Sequence, residues 1–329
     1  MTASPTLPSD FISFTPGHAA LEVSDAVSRL CAALRKTGDD ASVAHESLGA
    51  SVREVESLDV ALLLSASVEA DAVADTLFHI ASALASANPT AAWQGLLPVP
   101  AGVALHDLPE YKGLAATMLA LPGTGRALWS PVPLWPLSGE VLSIEADALL
   151  GPLVLSAQAP SSVLPGFAHG RLARFDPPDH GTGRRQLRPT AQQRLRELST
   201  TLLAGLLDGA VRRIAEEAYA YAASRQSFGK PISQHQAVML RLADIALDQQ
   251  SLSLYLQGFA QSAARFEPKV STCGMNTGHI SDCAARIARD SLQIAAAHGY
   301  VEGLPFKRLF EQIRTIDAAL VQTIRLSVP

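Results

Sequence analysis

The apolar residues of this 329-residue chain recur at spacings of three and four over most of its length, which is the pattern of helices that bury one face. In the first third of the chain this pattern predicts helices at about 16–36, 58–87 and 108–121. Thr90 is predicted to cap a further short helix, because a threonine hydroxyl can bond a free amide of the first turn. The N-terminal region is therefore predicted to be helical.

Four longer amphipathic segments follow in the last third, at about 191–224, 234–266, 277–297 and 305–327. Four antiparallel helices of this length joined by short connections form a bundle. Met239 is predicted on the buried stripe of the second segment. Pro305 is predicted at the first helical position of the fourth, where a proline removes no helical hydrogen bond.

Between these helical regions the pattern changes to short apolar runs separated by Pro and Gly, which predicts the strands of a small sheet or sandwich. The runs are Leu142–Ile144, Pro152–Ala157 and Leu172–Phe175. Residues 176–188 are rich in turn-forming residues and are predicted to be a linker.

The predicted fold class is mainly α with a small β domain. A helical N-terminal domain is predicted at 1–121, a small middle β domain at 122–183 and a C-terminal four-helix bundle at 184–329.

The composition of the chain disfavours several classes of protein. The net charge is −5 and 17% of the residues are charged, which disfavours a nucleic-acid-binding or a basic membrane-surface protein. The three cysteines, Cys31, Cys273 and Cys283, lack metal-ligand spacing, so we expect no metal site and a reduced, cytoplasmic protein. No apolar run is long enough to span a bilayer, and the first residues lack the features of a signal peptide.

The most unusual stretch is Arg225–Gln236, with the sequence RQSFGKPISQHQ, between the first two helices of the predicted bundle. It combines a guanidinium, a hydroxyl, a Phe-Gly break and a proline. Such a composition is typical either of a binding segment or of a fixed corner.

This stretch resembles the marker of the acyl-CoA dehydrogenase family, Arg-x-Ser/Thr/Ala-Phe-Gly-x-Pro-Ile/Leu-x-x-x-Gln. The matching residues are Arg225, Ser227, Phe228, Gly229, Pro231, Ile232 and Gln236. A second segment, QIAAAHGYVEGLP at 293–305, is similar to the family pattern Gln-x-x-Gly-Gly-x-Gly-Tyr-x-x-x-x-Pro, with Ala296 and Ala297 at the adjacent glycine positions. The resemblance covers about 195–315 in sequence and the preceding part only in architecture.

In that family the two motifs bind FAD across a subunit interface, so the resemblance implies FAD as the cofactor. The cofactor-binding candidates that it implies are Arg225, Ser227, Phe228, Gln236, Gln293, Ala296 and Ala297. The methyl groups of Ala296 and Ala297 are expected to hold the backbone farther from a phosphate than glycine would. The open alternative is a structural corner that contacts no flavin.

The resemblance also implies α,β-dehydrogenation of an acyl thioester, in which a carboxylate removes the α-proton while the β-hydride passes to the flavin. Leu320 stands close to the position of the usual base, a Glu in a Glu-Gly-Thr segment that this chain lacks. In another branch the base precedes the first motif, and that position falls near Ser199-Thr200, with Glu197 a short distance away. The sequence therefore identifies no catalytic base.

Two segments that hold the flavin ring in relatives, of Leu-Thr-Glu-Pro and Trp-Ile-Thr/Ser type, are also missing from 122–183. A chain that keeps the donated diphosphate motif but lacks a base and a ring pocket is similar to the degenerate subunit of bacterial α2β2 members that shorten steroid side chains. The resemblance therefore implies a heterotetramer with a second acyl-CoA dehydrogenase-like subunit, an acyl-CoA substrate and, as one option for the electron acceptor, an electron-transfer flavoprotein.

Two alternatives stay open. A homo-oligomer would use a different base, with Glu302, Glu311, Asp317 and His298 as candidates, whereas a cofactor-free assembly subunit would use none. The sequence determines neither the acyl chain nor whether the thioester carrier is CoA or an acyl carrier protein.

Overall fold

The computed structural model describes residues 18–36, 45–58, 60, 64, 70–104, 189–264, 277–301 and 303–327, which are mostly helical, together with seven short strands between 118 and 185. None of the helices in these ranges combines the length and the apolar character needed to cross a lipid bilayer.

The N-terminal region is helical, as predicted. Its elements are α1 (His18–Lys36), α2 (His45–Glu56), α3 (Ala70–Ala87), α4 (Pro89–Leu96) and α5 (Val99–Ala104). Val27, Leu30 and Leu34 of α1 are buried at three- and four-residue spacing, so the amphipathic pattern of the sequence corresponds to the packed face.

The cap of α4 is Asn88, and the prediction that Thr90 caps this helix is wrong. The Asn88 side chain accepts a hydrogen bond of 3.1 Å from the backbone N–H of Ala91, and Pro89 takes the first helical position. Thr90 is buried inside the helix, where its hydroxyl accepts a hydrogen bond from Gln312. Asn is as effective a cap as Thr, and a proline at the first position favours the earlier start.

The middle of the chain forms a seven-stranded sheet. Its strands are β1 (Met118–Pro122), β2 (Leu128–Val132), β3 (Val141–Ser143), β4 (Leu153–Ser156), β5 (Ser162–Pro165), β6 (Arg171–Phe175) and β7 (Arg184–Arg185). The spatial order is β5-β6-β2-β1-β3-β4-β7, and every neighbouring pair is antiparallel except β1 with β3. The three predicted strands coincide with β3, β4 and β6.

Two predictions for this region are wrong at the ends of the predicted helix and of the predicted linker. Residues 118–121 were expected to end a helix but form β1, because Met118–Ala120 pair in parallel with Val141–Ser143. The remaining part of that predicted helix, 108–117, lies outside the described residues. Arg184–Arg185, expected in a linker, form β7 by pairing with β4. The domain limits at 121 and 183 stay a prediction, with strands that begin and end slightly outside them.

The C-terminal region contains four long helices. They are α6 (Pro189–Ser224), α7 (Gln236–Ala264), α8 (Thr277–Ile294) and α9 (Phe306–Ser327). A small hairpin of β8 (Gln226–Ser227) and β9 (Lys230–Pro231) joins α6 to α7, and a 3₁₀ turn at Ala296–Tyr300 precedes α9. The fold class predicted from the sequence, mainly α with a small β part, is confirmed.

Two details of the bundle differ from the prediction. Met239 was placed on the buried stripe of α7 but is 53% exposed, because α7 buries Leu242 and Ile245 and turns Met239 outward. Pro305 lies just before α9, where its carbonyl accepts a hydrogen bond of 2.9 Å from the N–H of Leu309.

The 36-residue helix α6 is the central element, and it packs closely on α3. A Cβ atom added at Gly205 would lie 2.6 Å from the carbonyl oxygen of Phe78, and one at Gly209 would lie 2.2 Å from that of Ser82. Only glycine allows two backbones to approach this closely. The two glycines therefore fix the depth at which α6 sits against the N-terminal helices.

A buried carboxylate lies between these glycines. Asp208 is 1% exposed and accepts hydrogen bonds from the hydroxyls of Ser82 on α3 and Ser253 on α7. The guanidinium of Arg212, one turn further along α6, donates to the same carboxylate at 2.8 Å. Asp208 therefore joins three helices through polar contacts that compensate its burial.

Replacing Asp208 by Ala is expected to lower the free energy of unfolding by about 2–4 kcal/mol, because two hydroxyls and a cation lose their acceptor inside the protein. Urea unfolding measures this change. Asp25→Ala, at an exposed carboxylate on α1, is the matched control and should stay within about 0.5 kcal/mol of the parent. Equal stability of the two variants would contradict a role for Asp208 in joining the helices.

Candidate functional site

The first motif forms a hairpin that stands at the end of α6. The N–H of Arg225 donates to the carbonyl of Tyr221 at 2.8 Å, and the N–H of Ile232 donates to the carbonyl of Arg225 at 2.8 Å. Between these bonds, Gln226 pairs with Pro231 and Ser227 with Lys230. The marker sequence is therefore a closed two-stranded loop with Arg225 at its base.

The tip of the hairpin is a tight turn made by Phe228 and Gly229. Both have positive φ, at 51° and 74°, as a two-residue turn between antiparallel strands requires. The Phe228 side chain is 95% exposed. An aromatic residue that is so exposed in a strained backbone conformation adds little to the packing of its own chain, which indicates a role in binding.

The remaining residues of the motif hold the hairpin against α7. The Nε2 atom of His235 lies 3.2 Å from the carbonyl oxygen of Ser227, and its ring contacts Phe228 edge-on at a centroid distance of 6.2 Å. Gln236, the first residue of α7, is exposed beside them. Arg225 and Phe228 of the hairpin and Gln236 at the start of α7 are thus all exposed to solvent.

The second motif forms the end of α8 and the turn that follows. Gln293 and Tyr300 are both exposed, and the Gln293 amide donates to the Tyr300 hydroxyl at 3.4 Å. Ala296 adopts a positive φ of 51°, the conformation that glycine takes most easily. Gly299 is buried, and a Cβ atom there would lie 2.7 Å from the carbonyl oxygen of Leu292. The turn therefore has a glycine-type shape despite the alanine.

Tyr221 brings the two motifs together. Its hydroxyl lies 3.4 Å from Nδ1 of His298 in the second motif, and its ring packs edge-on against Phe306 at 6.0 Å. Its carbonyl accepts the N–H of Arg225 in the first motif. Because one residue contacts both motifs, they occupy the same end of the bundle.

The donor set at this end suits a dinucleotide diphosphate. It contains the guanidinium of Arg225, the ammonium of Lys230, the hydroxyl of Ser227 and the side-chain amides of Gln236 and Gln293. Cations and neutral donors without a carboxylate among them are the groups that bind phosphate oxygens. Phe228 adds an exposed apolar face for a ring. FAD, the cofactor implied by the resemblance, fits this chemistry.

Leu320, which the resemblance places close to the usual base, lies in a continuous helix. It is completely buried, and α9 extends beyond it to Ser327 without a break. The side chain at 320 therefore packs in the bundle core. The correspondence of this position to the usual base stays a prediction.

The other candidate bases belong to structural contacts or lie outside the described side chains. Asp317 is 3% exposed and accepts hydrogen bonds from Ser281 at 2.8 Å and Arg314 at 3.2 Å. Burial raises the pKa of its carboxyl, against the opposing effects of Ser281 and Arg314. Glu311 is half-buried on α9, and the side chain of Glu302 is outside the described set.

The position used in the other branch also lacks a base. The hydroxyls of Ser199 and Thr200 are buried and bond the carbonyls one turn back, Leu195 at 2.6 Å and Arg196 at 2.8 Å. Burial raises the pKa of the nearby Glu197 carboxyl, and a hydrogen bond from Gln193 opposes this shift. Glu197 is held by its own helix.

One feature of the site was missed by sequence reasoning. The large apolar side chains that the structure describes as exposed are Phe228, Met239, Leu240, Leu247, Tyr300 and Val301. All lie on the hairpin, on the first half of α7 that follows it, or at the end of the second motif. The apolar periodicity of α7 predicted Met239 in the core. Periodicity alone does not distinguish an apolar stripe that faces the core from one that faces outward.

Residues 190–319 match the family model described as "Acyl-CoA dehydrogenase, C-terminal domain". Among curated proteins, 3-sulfinopropanoyl-CoA desulfinase of Cupriavidus necator is 30% identical over 130 residues, which are 39% of this chain and 32% of that protein. The match to this relative thus spans about a third of that protein's length. The family-model match falls on the bundle that carries both motifs.

The likeness of fold extends over nearly the whole chain. The structure of the ChsE4-ChsE5 complex from Mycobacterium tuberculosis superposes with a TM-score of 0.63 at 18% identity, covering 96% of each chain. A variant of the Tcur3481-Tcur3483 steroid ACAD gives 0.62 at 17% identity, covering 95% and 97%. The FAD complex of PigA gives 0.68 at 14% identity, covering 95% and 98%. The protein has the acyl-CoA dehydrogenase fold, and its C-terminal region matches the model of that family's C-terminal domain.

Replacing Ala296 by Gly is expected to raise the free energy of unfolding by about 0.5–1 kcal/mol, because glycine adopts the positive φ without steric cost. Ala297→Gly is the matched control. The adjacent Ala297 has no positive φ, so glycine there should lower stability by about 0.5–1 kcal/mol. Urea unfolding of both variants measures whether each substitution raises or lowers the free energy of unfolding. A loss of stability in both would show that Ala296 is unstrained.

Replacing Leu320 by Glu is expected to lower the free energy of unfolding by about 3–5 kcal/mol, because an unpaired carboxylate would enter the bundle core. Ala318→Glu, at an exposed position of the same helix, should change it by less than about 0.5 kcal/mol. Urea unfolding compares the two. A stable Leu320→Glu variant with dehydrogenase activity on an acyl-CoA would contradict the burial of this position.

Proposed function

We propose that this chain is a degenerate subunit of a heteromeric acyl-CoA dehydrogenase, an oxidoreductase that acts on CH–CH bonds of an acyl thioester. The cofactor of the proposed site is FAD. The chain completes that site from one side of a subunit interface, while a second acyl-CoA dehydrogenase-like subunit supplies the catalytic base.

The proposal rests on the contrast between the exposed residues of the first motif and the buried position expected to hold the catalytic base. Arg225 and Phe228 on a defined hairpin, and Gln236 at the start of the following helix, are exposed to solvent. Leu320, at the position of the usual base, is buried in an uninterrupted helix. A chain under selection only for its own folding has no need of the exposed hairpin, and a self-sufficient dehydrogenase needs a carboxylate.

Each retained residue has a role that its chemistry supports. Arg225 and Ser227 would bind the diphosphate, because a guanidinium and a hydroxyl both donate to phosphate oxygens. Gln236 and Gln293 would add neutral donors, and Phe228 would pack against the adenosine half. Bound FAD accepts the β-hydride of the substrate. This chain would orient the cofactor and exclude water from its diphosphate, without removing the α-proton.

A heteromeric assembly is supported by the surface around the hairpin. Six large apolar side chains that the structure describes as exposed, among them Phe228, Leu240 and Leu247, lie near the two motifs. Exposed apolar residues gathered in this way are typical of a surface that a partner covers. Two proteins with this fold are described as the ChsE4-ChsE5 complex and as the Tcur3481-Tcur3483 steroid ACAD. We extend the proposal to a steroid-type acyl-CoA substrate on that similarity.

Co-expression with a genomically adjacent acyl-CoA dehydrogenase-like chain is expected to yield a yellow complex, whereas this chain purified alone should contain no flavin. In the complex, Arg225→Gln should weaken FAD binding by about 10–100-fold, because one charge-assisted contact to the diphosphate is lost. Flavin fluorescence during titration measures the affinity. Arg29→Gln, an exposed arginine on α1, is the control and should bind FAD as the parent does.

Three results would decide against the proposal. A yellow homo-oligomer of this chain alone that dehydrogenates an acyl-CoA would show that it supplies its own base. A complex whose FAD content is the same with Arg225→Gln would show that the hairpin does not contact the cofactor. A stable complex without flavin would support a cofactor-free assembly subunit.

A further inference from the structure

The turn of the second motif keeps its shape although two expected glycines are alanines. Ala296 holds a positive φ of 51°, and Ala296 and Ala297 are both exposed. The backbone follows a glycine-type path, but two methyl groups now cover it. Such groups hinder a close approach of phosphate oxygens to the backbone N–H groups of this turn.

The next residue offers a side-chain donor at the same place. His298 is exposed, and its own N–H bonds the carbonyl of Ala295 at 3.2 Å, which fixes its backbone in the turn. Its Nδ1 atom lies 3.4 Å from the Tyr221 hydroxyl, and the two rings are 6.5 Å apart. Because Nδ1 of His298 faces Tyr221, the other ring nitrogen, Nε2, lies on the other edge of the exposed ring.

The contact with Tyr221 is compatible with a donor at Nε2. When the Tyr221 hydroxyl donates to Nδ1, the proton of a neutral imidazole lies on Nε2, and the outward edge of His298 offers an N–H to an acceptor. This is the arrangement that the inference requires.

The position of this donor is tied to that of Arg225. Tyr221 contacts His298 through its hydroxyl and accepts the N–H of Arg225 through its carbonyl at 2.8 Å. Arg225 and His298 therefore both contact one residue of the central helix α6, Tyr221. Their relative placement is fixed by a short, well-packed path, with Phe306 against the Tyr221 ring.

We propose that His298 is a diphosphate-binding residue of the cofactor site, and that its imidazole replaces the backbone donors that Ala296 and Ala297 obstruct. Tyr221 is the positioning residue that orients its ring. The inference rests on the proposed function, since it assigns a further contact within the same site. It gives His298 a binding role and no part in proton removal.

The test uses the full chain and two probes, ADP and adenosine, which differ by the diphosphate. The ring nitrogens of ¹⁵N-labelled histidine are followed by NMR during each titration. We expect His298 Nε2 to shift with ADP and not with adenosine. We expect His298→Phe to weaken ADP binding by about tenfold, the effect of one hydrogen bond to a charged group, and to leave adenosine binding unchanged.

Further variants separate binding from structure. His298→Gln keeps a donor and should retain part of the ADP affinity that His298→Phe loses. Tyr221→Phe keeps the ring packing and removes the hydroxyl, so it should weaken ADP binding by about threefold through loss of ring orientation. Thermal unfolding of each variant shows whether it folds. If His298→Phe fails to fold, the Nε2 shift of the parent chain decides the question.

The outcomes distinguish this inference from the proposed function. Weaker ADP binding by Arg225→Gln with unchanged binding by His298→Phe, and no Nε2 shift, would overturn the role of His298 alone. Unchanged binding by both variants, or no response of the parent chain to millimolar ADP, would overturn a diphosphate site carried by this chain and with it the role of His298, whereas the flavin content of the complex tests the proposed function. Equal losses of ADP and adenosine affinity in His298→Phe would show a structural role and contradict the inference.

Discussion

The close contact of α6 with α3 is the constraint from which the described architecture follows. Gly205 and Gly209 allow the α6 backbone to reach the carbonyl oxygens of α3, and the carboxylate of Asp208 bonds hydroxyls on α3 and α7 at the same level. This contact costs the burial of a charge, which the hydroxyls and Arg212 offset. It determines where a 36-residue helix stands relative to the N-terminal helices, and therefore where its far end lies.

That far end carries both sequence motifs. A rigid helix transmits its placement to Tyr221, and Tyr221 in turn contacts both the hairpin at Arg225 and the turn at His298. Two segments separated by about seventy residues in sequence thus share one anchor. Binding groups that must face one ligand from two segments need such a common support, because small errors in their relative placement weaken every contact they share.

The hairpin and the region around Leu320 have opposite character. The hairpin contains Phe228 at a positive φ and with an exposed aromatic ring, features that cost stability. The region around Leu320 is apolar, buried and regular. The proposed division of labour between two subunits rests on this contrast.

The sequence by itself determined the helices, the bundle and the marker motif, because amphipathic periodicity and Pro/Gly punctuation act over short distances along the chain. It also identified Leu320 as a position without a base. It misplaced Met239, the cap at Thr90 and the strand at 118–121, because burial against a neighbour, competition between adjacent caps and strand pairing depend on other parts of the chain. Only the tertiary structure brought Tyr221, Arg225 and His298 together, since their meeting depends on the packing of α6, α8 and α9 and no local pattern records it.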